Sequence, residues 1–202
     1  LNRYPQAESI WLPAVFIGAM VIMLFATWLE GWSMRRNWAA YAEQMGFRYN
    51  PPQRGSKPAI QGSYRSHRFE IVQTTVRRGR SQTHYTNFIL PLNQTVATTL
   101  KIQSKSLAHF NREVTGDAQI DRKLTISTNS KKLVENLLRT RRIRLGLLNL
   151  RDGNRRMQLA MDKTTLQLSL LGRISDREYL QAVLTFLAEL ASAIERFDQV
   201  GR

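Results

Sequence analysis

The residues able to do chemistry in this 202-residue chain are few and scattered. There is no cysteine, which removes disulfides, thiol nucleophiles, iron–sulfur clusters and cysteine zinc sites. Three histidines, His67, His84 and His109, sit far apart and share no metal-ligand spacing. Asp117 and Asp121 are four apart and would meet on one face of a helix, yet carboxylates beside basic surface usually end as salt-bridge partners. No HExxH, Walker A, GxSxG or GxGxxG pattern is present. The expectation is therefore a protein with no catalytic residues, no cofactor and no metal.

What the chain has in quantity is positive charge. Thirty basic side chains against fifteen acidic ones give +15. The excess is concentrated between residues 35 and 173, which hold 26 basic and 8 acidic side chains, whereas residues 174–202 are slightly acidic. Two clusters stand out. Arg77, Arg78 and Arg80 occupy a predicted hairpin turn, and Arg139, Arg141, Arg142 and Arg144 follow a predicted helix, whose C-terminal dipole alone accounts for part of the second cluster. Such a field suits anionic lipid headgroups or an acidic protein. Nucleic acid is the weaker expectation, because Tyr64, Phe69, Tyr85 and Phe88 lie on predicted strands without an RNA-binding signature.

The elements that would position these groups begin with an apolar run. Residues 10–29 carry no charge, and at ~1.5 Å per residue they would span a hydrocarbon core. Trp11 at one end and Trp28 and Trp32 at the other read as interfacial anchors. The expectation is a single-pass transmembrane helix over residues 10–32, contacting the lipid bilayer. Residues 1–9 would lie outside the bacterial inner membrane and the remainder in the cytoplasm, because basic residues cluster C-terminal to the run. Ala14, Gly18 and Ala19 form a small-residue face that would let a helix of another integral membrane subunit approach.

Residues 33–58 read as a juxtamembrane helix, ended by Gly46, and a proline-rich linker. Residues 59–202 then read as a basic α+β domain, a mostly antiparallel sheet with two packed helices. Strands are predicted over 59–64, 68–76, 83–92, 97–103 and 123–128, with a hairpin of 155–161 and 164–171 around Asp162-Lys163. One helix starts at Asn129 or Ser130 and buries Leu133, Val134 and Leu137. The last helix opens on a Ser175-Asp176-Arg177-Glu178 capping box, and its apolar stripe runs from Leu180 to Ile194.

Trp38-Ala39-x-x-Ala42 leading to Gly46-Phe47, then Gly62-x-Tyr64-x-x-x-Arg68, then Gly116-Asp117-x-x-Ile120-Asp121, resembles a pattern in uncharacterised bacterial membrane-anchored proteins. The resemblance covers most of the domain and implies its architecture. It implies no catalytic or binding residues. The functional expectation is a non-catalytic accessory subunit of a larger inner-membrane complex, such as a respiratory or photosynthetic electron-transfer complex. The alternative is a regulatory module whose basic surface engages anionic lipid, acidic protein or nucleic acid.

Overall fold

A computed structural model describes residues 11–53, 56–79, 81–105, 115–153 and 156–200; in the first helix the side chains at 11–14, 24, 27 and 30 are outside the description. The elements run α1 (Trp11–Met45), β1 (Arg48–Asn50), β2 (Ala59–Tyr64), β3 (His67–Arg78), β4 (Ser81–Pro91), β5 (Leu100–Ser104), α2 (Ala118–Lys123), β6 (Leu124–Thr128), α3 (Lys131–Arg139), α4 (Arg141–Gly153), β7 (Met157–Met161), β8 (Thr165–Leu171) and α5 (Arg177–Val200).

The eight strands form one sheet in the order β1-β2-β3-β4-β8-β7-β5-β6, and every pair is antiparallel. Its register makes the two faces easy to read. One cross-strand row is Tyr49, Ile60, Ile71, Phe88, Leu168, Leu159, Ile102 and Ile126. One residue along, on the opposite face, the row is Val72, Asn87, Ser169, Gln158, Gln103 and Thr125. Alternation with period two thus gives an apolar face and a polar face, and a one-residue slip would exchange them.

The apolar face is covered by helices. Trp38, Tyr41, Leu133, Leu137, Leu147, Leu184, Leu187 and Leu190 join Ile60, Ile71, Phe88 and Leu168 in one core. Helix α5 is its centrepiece, burying Leu180, Val183, Leu187, Ala191 and Ile194 along one stripe. Its N-cap is Asp176, whose Oδ1 accepts from the Tyr179 N–H at 2.7 Å, one residue later than the expected box. Ser130 caps α3 by accepting from the Leu133 N–H. Gly46, at φ +69°, ends α1 in the left-handed conformation glycine tolerates.

The structure corrects three expectations. The sheet carries more than two helices: the predicted helix ending in the arginine run is two, split at Thr140, whose N–H caps back to the Leu137 carbonyl. A short strand, β1, follows α1 where a linker was expected. The largest correction concerns the transmembrane helix and the single-pass topology. Among the described residues no helix is long and apolar enough to cross a membrane. The apolar run is the start of a 35-residue helix that continues through Arg35 and Arg36 into the core.

Candidate functional site

Helix α1 divides into two halves of opposite fate. From Met34 onward it belongs to the domain: Met34, Trp38, Tyr41 and Ala42 are buried. The Trp38 indole N–H donates to the Ile174 carbonyl at 2.7 Å, and the Tyr41 hydroxyl donates to Gln181 at 2.8 Å. Burial pushes the Tyr41 hydroxyl pKa well above its ordinary value, with the neighbouring Tyr64 adding to it. Before Met34 the helix projects. Phe16 is 77% exposed and Ile22 71%, and Ile17, Met20, Val21, Met23, Phe25 and Trp28 are exposed as well. Soluble monomers seldom show so large a contiguous apolar surface.

The expected small-residue face lies on this projecting half. A Cβ at Gly18 would meet nothing within 4 Å, and Ala19 is exposed. The side chains of Ala14 and Trp11 lie outside the described residues. Trp28 stacks on Phe25 with centroids 5.9 Å apart, and the Arg36 guanidinium sits 5.6 Å from the Trp32 ring centre. At the C-terminal end of α1 an apolar groove of about 680 Å³ opens between α1, α4 and α5. Tyr41, Met45, Leu145, Ala182 and Phe186 line it, with Arg142 and Glu189 at its rim. Gly146 allows α4 to come this close, since a Cβ there would lie 2.3 Å from the Phe186 ring. A lone glycine inside a leucine-rich helix was the only sequence signal for this groove.

The basic clusters separate. Arg77 and Arg78 are exposed at the end of β3, and Arg80 lies outside the described residues. In the second cluster only Arg139 ends a helix; Arg141, Arg142 and Arg144 fall in the first turn of α4, where the helix dipole disfavours cations. Partners offset that cost. Arg144 pairs with the Asp117 carboxylate, and Arg142 reaches Glu189 at 3.8 Å. The four arginines thus do not act as one patch.

The groups offered for chemistry are occupied elsewhere. Asp117 caps α2, accepting from the Gln119 and Ile120 N–H groups, and the Arg144 guanidinium holds its carboxyl below the usual carboxylate range. The Asp121 carboxylate accepts from the Thr115 N–H and hydroxyl. His67 is buried beside α5, 3.1 Å from the Ser192 hydroxyl, and His84 lies 2.9 Å from the Thr75 hydroxyl. His109 lies outside the described residues. Phe69 and Phe88 are core residues, so the four strand aromatics do not form a stacking platform for bases.

These features define a single-sheet α+β protein with helices on one face and an apolar helical projection. No family model matches the sequence, and no curated protein matches it. Among solved structures, the crystal structure of the mycobacterial trehalose monomycolate transport factor A, TtfA, is similar, with a TM-score of 0.54 at 12% identity. The match covers 80% of this chain and 96% of that one. At that identity the likeness is one of fold.

Proposed function

We propose that this chain is a non-catalytic accessory component of a larger assembly at the bacterial inner membrane, held there by the projecting half of α1 packed against an apolar helix of a partner subunit. The observation that carries the reading is the contrast within α1, whose exposed apolar surface from Val15 to Trp32 is continuous with a half anchored in the core. Gly18 and Ala19 would let the partner helix approach closely. The groove at the C-terminal end of α1 offers a separate apolar foothold beside Leu145. The occupation of Asp117, Asp121 and His67 in structural bonds supports a binding role over catalysis. The fold likeness to a protein named as a transport factor fits a component that assists other machinery.

Gly18→Leu tests this. The substitution meets nothing within the chain and favours the helix, so folding should be unaffected. A partner that co-purifies with the native chain in mild detergent should be lost from the variant. Undiminished co-purification would contradict the packing.

A further inference from the structure

The polar face of the sheet holds a second site, independent of whatever α1 binds. Near one end of this face a cavity of about 540 Å³ opens over β4, β5, β7 and β8. Three cations line it, Arg78, Lys105 and Arg156, and among the described residues that line it none is a carboxylate. They come from three separate places in the chain. Arg78 ends β3, Lys105 follows β5 and Arg156 precedes β7. The pairing of Gln103 with Gln158 brings the last two together, because each cation lies two residues from one of those glutamines and so on the same face. Arg78 belongs to the Arg77-Arg78-Gly79-Arg80 run, but nothing in the sequence joins it to Lys105 or Arg156.

Neutral hydrogen-bonding groups complete the lining. Gln103, Gln158 and Ser169 are successive members of the polar cross-strand row, and Tyr85 lies beside them. Two of the groups are held in place. The Ser169 hydroxyl donates to Asn87 at 2.6 Å, and Asn87 donates onward to the Thr74 hydroxyl at 2.8 Å. The Lys105 ammonium donates to the Asp121 carbonyl at 2.8 Å, an interaction that fixes its position and leaves its charge uncompensated by that partner. The site therefore combines three positive charges with two amides, two serine hydroxyls and a phenol on a rigid sheet. Cations recognise an oxyanion through short charge-assisted hydrogen bonds, and side-chain amides pair with hydroxyl groups that donate and accept.

We propose that this cavity binds a phosphorylated polyol, with the phosphate held by Arg78, Lys105 and Arg156 and the ring hydroxyls by Gln103 and Gln158. The same chemistry is offered by a free phosphate ester and by an inositol-type lipid headgroup, and the two sources separate experimentally.

The 202-residue chain in detergent micelles would be titrated calorimetrically with myo-inositol 1-phosphate, inorganic phosphate and neutral myo-inositol. Saturable binding is expected in the order inositol phosphate, then phosphate, with none for inositol. Arg78→Ala and Lys105→Ala should each weaken inositol phosphate about tenfold, the scale of one lost charge-assisted contact. Gln158→Ala, at an exposed mid-strand position, should weaken inositol phosphate and spare inorganic phosphate. Arg139→Ala, on α3, should leave both within about twofold, as expected of a charge outside the site. Because Lys105 also bonds the Asp121 carbonyl, Arg78 at its exposed strand end is the variant that separates binding from folding. A further preference for phosphatidylinositol over phosphatidylserine vesicles assigns the headgroup. Soluble binding without that preference assigns a free ester. Absence of saturable binding, or equal losses in the Arg78 and Arg139 variants, overturns the proposal.

Discussion

The two parts of α1 both carry large apolar side chains and place them in opposite environments. Trp38 and Tyr41 are closed off by α5 and the sheet, whereas Phe16, Ile22 and Trp28 of the same helix touch little of the domain. The difference shows that apolarity specifies burial without saying against what. The later half finds its cover within the chain because its apolar residues are spaced at i, i+3 and i+4, with Trp38, Tyr41 and Ala42 on one side. The described side chains of the earlier part are apolar around the helix, so no single packed face would cover them.

The strongest way to break this comparison is to treat the halves alike. Trp38→Ala removes a fully buried ring and its bond to Ile174, and should cost about 3–5 kcal/mol in thermal or denaturant unfolding. Ile22→Ser, a comparable loss of apolar surface on the projecting half, should change unfolding by no more than about 0.5 kcal/mol. Similar costs for both would mean the projecting half is packed within the chain.

A smaller effect sharpens the boundary of the rigid domain. Asp117 ties the start of α2 to Arg144 on α4, and its folded carboxyl pKa is lowered chiefly by that guanidinium. A depressed pKa contributes stability that is present above the unfolded carboxylate value, about 4, and is lost as pH falls through the lower folded value. Asp162, lowered mainly by the Thr164 N–H, acts in the same direction. Melting temperature should therefore fall on acidification below about pH 4, and Asp117→Asn should flatten part of that slope. An unchanged slope in the variant would remove the pair from the stability account.

Much of the sheet was legible beforehand because its strands alternate apolar and polar residues and are bounded by turn residues, as Asp162-Lys163 separates Met157–Met161 from Thr165–Leu171. The final helix was legible for its sustained stripe, although its cap was misplaced by one residue. The break at Thr140 was hidden, since arginines flank it on both sides and arginine is a good helix former. The apolar run was visible, but its continuation into the core depends on Trp38 meeting Ile174, 136 residues away. The phosphate-binding proposal was out of reach for a related reason. Arg78, Lys105 and Arg156 are far apart in sequence, and the sheet order β3-β4-β8-β7-β5 gathers them.

The central claim is that a protein partner covers the projecting half of α1. The most direct test is a photoreactive amino acid in place of Met20, irradiated in cells, with the same probe at exposed Lys131 on α3 as a control. The account predicts one discrete protein adduct from position 20 and none from position 131. Irradiation at position 20 that yields no protein adduct would contradict it.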